Sequence, residues 1–147
     1  MSDENFMPYM SPVEDFSPKE LYNPMGAAVW SIFLTPIFGE WCILQNSKVL
    51  DDEEGVARSK GWIAGMIAAV ILFSLLPPFP GDKLLSIVLY LVWFFGSCRS
   101  HERWLLTAAP DYIRKSWLKP VFCGCGCLIF ISLLFGLLVG LFAVVAG

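Results

Sequence analysis

The chain has 147 residues, of which 56 % are apolar and only 16 % charged, against about 25 % charged in an ordinary soluble domain. The length allows one domain, and a net charge of −3 excludes the basic signature of a nucleic-acid binder. The charges crowd between long uncharged stretches, the arrangement a bilayer imposes because a charge at its centre is costly.

Residues 1–22 read as an acidic, mostly disordered tail, with Asp3, Glu4, Glu14, Asp15 and Glu20 interleaved with Phe6, Tyr9 and Phe16. The start has neither the basic region nor the immediate apolar core of a secretory signal. Neither end carries a lipidation motif: residue 2 is Ser and the chain ends VVAG.

Residues 23–147 predict an all-α integral membrane bundle of about four transmembrane helices, because a span needs roughly 20 apolar residues. The first is Gly26 to Leu44, with Asn23 as N-cap and Pro24 at the first helical position. Pro36 inside it predicts a kink, and Glu40 lies near its far end. The second is Gly61 to Leu76, stopped by Pro77-Pro78-Phe79-Pro80-Gly81. The third, Leu84 to Cys98, is short, but Asp82, Lys83 and Arg99 can snorkel at its ends. The fourth, Val121 to Gly147, is 27 residues without a charge. The first and third are the candidates for a re-entrant path. A soluble helix needs a polar face, and the second and fourth segments have none.

Lys and Arg sort the loops. The first loop holds Lys48, Arg58 and Lys60, and the third holds Arg99, Arg103, Arg114, Lys115 and Lys119. The tail has only Lys19 and the second loop only Lys83. The positive-inside rule therefore predicts cytoplasmic first and third loops, with both termini outside the cytoplasm. Trp41 and Trp62 fall at the cytoplasmic ends of their spans, Trp30 near the outer interface, and Trp104 and Trp117 in the third loop, as an aromatic belt requires. The first loop, DDEEGVARSK, has acids first and bases last, in agreement with a short helix and its dipole. The third-loop stretches HERWLLTAAP and DYIRKSWLKP suit helices lying against anionic lipid.

Helices associate in lipid through small residues. The first span offers Ala27, Ser31, Thr35 and Gly39; the second Gly61, Gly65 and Ala69; the fourth Ser132, Gly136 and Gly140. The third is bulky, with Tyr90, Trp93, Phe94 and Phe95. The expected tight core is therefore spans one, two and four, with the third turning its aromatic surface to lipid or to a partner.

Candidate chemistry is sparse. Glu40 is the one ionisable residue well inside an apolar segment, a functional candidate by position; otherwise it reaches water or bonds Trp, Ser or Thr groups. Pro36 accompanies it as the kink. Cys42, Cys98, Cys123, Cys125 and Cys127 are expected near the cytoplasmic interface, close to His101. CGCGC is not the spacing of structural zinc sites, and one ion could take all three thiols only if Gly124 and Gly126 keep the segment non-helical. Reversible acylation and simple packing of reduced thiols are the other readings. No Ser/His/Asp set, phosphate loop or HExxH motif occurs, so no enzymatic activity, cofactor or metal is expected.

The run NPMGAAVWSIFLTPIFG, residues 23–39, resembles a pattern of uncharacterised small bacterial multi-pass membrane proteins, N-P-x-x-A-A-x-W-S-x-x-F-T-P-x-F-G. The matching positions are Asn23, Pro24, Ala27, Ala28, Trp30, Ser31, Thr35, Pro36, Phe38 and Gly39, then Asn46, Leu50 and Trp62. Ile32-Phe33-Leu34 departs from the pattern, and Ser47 stands where an aromatic residue often follows the Asn. The resemblance implies a bacterial inner-membrane location and makes the kinked first span the central element. It implies no activity.

The expected function is that of a non-enzymatic interaction, accessory or immunity-type protein for a membrane-acting partner. Membrane lipid is one partner; a toxin, a membrane complex or a second copy of the chain are others, and nucleic acid is not. The alternatives are a channel or transport-type subunit using Glu40 and the Pro36 kink, and a cytoplasm-facing thiol or metal sensor.

Overall fold

The computed structural model describes residues 18–75 and 81–146. The tail residues 1–17, with Phe6, Tyr9 and Phe16, the proline-rich stretch 76–80 and Gly147 lie outside the described residues.

Helix α1 spans Pro24–Leu34 and begins as its sequence predicts. Asn23 caps it, its Oδ1 accepting from the backbone N–H of Met25 at 2.9 Å and of Gly26 at 3.3 Å. Proline occupies the first turn, where no N–H is needed. The helix ends at Thr35, whose φ of 101° lies in a region that a β-branched residue rarely adopts. Pro36 then opens helix α2, Pro36–Val49.

The two helices run antiparallel, so the expected kinked first span is instead a helical hairpin. Tyr22 and Asn46 meet at its base, Ala27 and Cys42 share one apolar cluster, and Ser31 lies against Gly39 near its tip. The reversal is visible in the local backbone. Proline denies the residue before it the α conformation. Thr35 goes further, to positive φ, which turns the chain back on itself. Small residues then let the helices close: Ala27, Ser31 and Gly39 are buried, while Thr35 sits exposed at the turn. At 1.5 Å per residue, an 11-residue helix is about 16 Å long, roughly half a hydrocarbon core.

Helix α3, Glu53–Ser74, is capped by Asp52, whose Oδ1 accepts from Gly55 N–H at 2.9 Å, and Glu53 and Glu54 occupy its first turn. The polar helix expected in the first loop is thus the first turns of α3 itself. Helix α4, Asp82–Trp93, passes through a π-helical turn, Phe94–Cys98, into α5, Arg99–Ala108. These three form one continuous path, longer than the expected third span. Among the described residues, two helices are long and apolar enough to cross a membrane, Glu53–Ser74 and Leu84–Ala108. Helix α6, Leu118–Ala146, starts three residues before the expected Val121 and runs 29 residues.

The chain is mostly helical. One short parallel pairing joins β1, Glu20–Leu21, to β2, Ile113–Arg114. It ties the segment entering the hairpin to the loop after α5, with Ile113 N–H donating to Lys19 O at 3.0 Å and Lys115 N–H to Leu21 O at 2.8 Å. Lys19 Nζ also donates to Val49 O at 2.9 Å and approaches Asp51 at 4.0 Å. This corrects the expected sidedness of the N-terminal segment. Residues 19–22 lie among the first and third loops, not opposite them, because a hairpin returns the chain to the level at which it entered.

The apolar core has two parts around the hairpin. On one side Ala28 and Ile43 pack with Met66, Trp93 and Cys98. On the other, Tyr22, Ala27 and Cys42 pack with Phe38 and Trp117. The expected grouping of spans one, two and four is therefore corrected in one respect: the α4–π-turn path, through the fully buried Trp93, joins α3 in packing against the hairpin. Helix α6 meets the hairpin near its own start, where Gly124 faces Leu34 and Phe38.

Candidate functional site: an enclosed carboxylate in the hairpin

Glu40 sits in the second turn of α2 and is fully buried. Its Oε2 accepts from Trp93 Nε1 and from Ser97 Oγ, both at 2.6 Å. Its Oε1 is buried without a hydrogen-bond partner. Of the interactions expected for Glu40, the bonds to Trp and Ser groups are the ones formed, and contact with water is not.

The donors come from one face of the α4–π-turn path. Tyr90 donates to Ala28 O at 3.0 Å, and Cys98 Sγ to Pro24 O at 3.3 Å. Tyr90, Trp93 and Ser97 recur at helical spacing. In an α-helix Cys98, five residues after Trp93, would point away from it. The wider i→i+5 turn returns it to the Trp93 face, so four consecutive donors reach the hairpin. Gly39 makes the approach possible: a Cβ there would stand 2.5 Å from the Trp93 ring and would also meet Ser31 Oγ. Gly96 does the same for α3, since a Cβ there would come within 2.9 Å of the Trp62 ring.

A second polar clasp closes the hairpin base. Tyr22 N–H donates to Asn46 Oδ1 at 2.8 Å, and Asn46 Nδ2 donates to Tyr22 O at 2.7 Å. Asn46 thereby satisfies a backbone donor and a backbone acceptor that no helix or strand would pair, groups that are expensive to bury alone. Sequence reasoning met Asn46 only as a position in a resemblance. Its signal was an amide near the end of an apolar helix.

The remaining predicted residues scatter. Gly61 and Gly65 are exposed with no neighbour within 4 Å of the space a Cβ would occupy, and Ala69 is half-buried. Ser132, Gly136 and Gly140 are exposed on α6. Pro36 is half-buried at the start of α2. Cys42 and Cys98 are buried in different clusters, while Cys123, Cys125 and Cys127 are exposed on α6. That segment is helical, so Cys123 and Cys127 share a face that Cys125 does not. No group of three His, Cys, Asp or Glu side chains able to hold a metal ion occurs among the described residues. Trp93, expected to face outward, is buried because Glu40 needs its N–H, whereas Phe95 does point outward.

What this arrangement can do chemically is hold. One carboxylate oxygen, two neutral donors and a glycine lock α2 to the α4 path at depth. Comparison with protein-family models, with curated proteins and with solved structures finds no match to this chain.

Proposed function

We propose that this chain is a small multi-pass protein of a bacterial inner (plasma) membrane. In this reading α1–α2 dips into one leaflet and returns, while α3, the α4–α5 path and α6 cross. The protein works without catalysis, as an interaction, accessory or immunity-type protein for a membrane-acting partner. One observation carries the reading: the crossing helices turn large apolar side chains outward on several faces. On α6 these include Phe130, Ile131, Leu133 and Leu134, which follow one another around the helix. On α3 Val70, Ile71 and Leu72 do the same. Water does not solvate such helices, whereas lipid and partner helices do.

Charge supports the same arrangement. Of the ten Lys and Arg residues, Lys83 alone falls on the side away from the hairpin base. That side is then the outside, and residues 18–22 lie in the cytoplasm with the basic loops. The C-terminal end of α6 emerges outside. Glu40 is enclosed by its own chain, which suits a structural clasp better than a catalytic group.

Carbonate extraction of membranes tests the location; recovery of the intact chain in the soluble fraction overturns it. Photo-crosslinking from Ile71 and Ile131 in living cells tests the interaction. A discrete adduct with one other protein supports it, and adducts with lipid alone overturn it. A channel or transport-type subunit is the second reading, favoured by the unpartnered Oε1 of Glu40. Ion flux in liposomes that is unchanged by Glu40→Gln retires that reading.

A further inference from the structure

A groove runs between α3 and the α4–α5 path, and its two ends differ in chemistry. Toward mid-helix it is apolar and open, floored by Gly61, Gly65 and Ala69 of α3 and walled by Leu89 and Val92 of α4. Its α3 side ends at Arg58. Along α4–α5 the same face continues through Gly96 into Arg99, Ser100 and Arg103. Both stretches lie open at the surface, with about 410 and 580 Å³ of space. They meet where Trp62 lies against Gly96.

Three features go unused by the fold. The small residues of α3 have no neighbour in the chain, for Gly61 and Gly65 face open space. Among the described residues, no carboxylate lies within 4 Å of Arg58, Arg99 or Arg103. A small recess of about 10 Å³ beside the groove is lined by Arg58, Gly96, Ser100 and His101. His101 is 6 % exposed and its Nε2 has no partner. An imidazole nitrogen buried beside Arg58, with nothing to bond, leaves room for a further partner.

We infer that this groove is a binding site for one anionic glycerophospholipid, its acyl chain lying on Gly61, Gly65 and Ala69 and its phosphate held by Arg58, Arg99 and Arg103. The chemistry matches at both ends. A glycine floor admits a straight hydrocarbon chain that any larger side chain would displace. Guanidinium groups at the cytoplasmic level meet phosphate with planar pairs of donors. His101, in the tautomer with its proton on Nε2, supplies a donor behind them. The inference rests on the membrane reading above, since only a bilayer offers such a ligand at this depth.

The test uses the full chain in nanodiscs of phosphatidylcholine with a minority of phosphatidylglycerol, followed by mild delipidation and native mass spectrometry. The protein is expected to retain phosphatidylglycerol over phosphatidylcholine by about tenfold relative to the bulk. Replacing Arg58, Arg99 and Arg103 by Gln abolishes the preference, and replacing all three by Lys restores part of it. Gly65→Leu lowers retention of both lipids without changing the melting temperature, because no neighbour stands in its way. Equal retention of the two lipids by the unaltered protein overturns the inference, as does a preference that survives the Gln variant. Dimer cross-links that disappear in Gly65→Leu, without lipid selectivity, overturn it in favour of a second copy in the groove. Carbonate extraction of the same cells separates the two ideas. A chain that resists extraction yet shows no selectivity defeats this inference alone, whereas an extracted chain defeats the membrane reading beneath it.

Discussion

The hairpin and the helices around it solve opposite problems with the same kind of residue. In α1–α2, glycine, alanine and serine are buried, and apart from Glu40 Oε1 and Ser47 Oγ the buried polar groups are paired: Asn46 with Tyr22, Glu40 Oε2 with Trp93 and Ser97. Beyond the first turns of α3 and along α6, Gly61, Gly65, Ser132, Gly136 and Gly140 stand exposed among Ile, Leu and Phe. The first region is finished by its own chain and the second is not. Small residues alone therefore do not say where a helix packs; a polar side chain that must find a partner does. The hairpin has two such residues, whereas the apolar stretch of α6 has none.

The contrast predicts a steep gradient of sensitivity to substitution. The largest effect is expected at Gly39, where Gly39→Val would push into the Trp93 ring and Ser31. Overpacking of this kind costs about 1–3 kcal/mol or more, and the lock between α2 and α4 should open. Thermal denaturation in detergent reads it, and an unchanged melting temperature would remove the hairpin from the centre of the fold. Glu40→Ala comes next: it strands the Trp93 N–H and the Ser97 hydroxyl but also removes a buried acid whose Oε1 has no partner, so a net loss of about 1–3 kcal/mol is expected. Glu40→Gln should recover part of that loss, because an amide oxygen can still accept from Trp93.

Asn46→Ala should cost about 1–3 kcal/mol by leaving the Tyr22 backbone unmatched. Proteolytic nicking near residue 22 would rise with it, and resistance equal to that of the unaltered chain would contradict the clasp. A smaller effect belongs to Thr35→Gly. It relieves a strained φ at the hairpin tip but loosens the unfolded chain, so a net gain of about 0.5 kcal/mol is expected. A loss at this position would mean that the turn depends on the threonine side chain. Across the same assay, Gly65→Leu should stay within about 0.5 kcal/mol of neutral, which sharpens the contrast between finished and unfinished surfaces.

Much of this was readable from local chemistry. Asn23-Pro24 announces a capped helix start, and the uncharged run after Val121 announces α6. Glu40 stands out as a carboxylate in apolar surroundings. What local chemistry does not contain is the direction of the chain after Pro36. Proline within an apolar segment accompanies a kink or a reversal, and the choice rests on the φ of Thr35 and on contacts made by distant residues. Trp93 was misjudged for the same reason. An aromatic residue in an uncharged segment suggests a lipid-facing surface until the carboxylate 53 positions away claims its N–H. Asn46 acts on a backbone 24 residues earlier, and no short-range pattern encodes that.

The Glu40–Ser97 bond also has a consequence for how the protein is made. The carboxylate leaves the ribosome 57 residues ahead of its hydroxyl donor, whereas the Asn46 clasp closes as soon as the hairpin is synthesised. On the membrane reading proposed above, insertion falls into two acts: a hairpin that can form at once, and a later docking of α4 that relieves it. A chain that stalls before Trp93 leaves Glu40 without either of its donors. That gives an incomplete product a chemical mark that the finished one lacks.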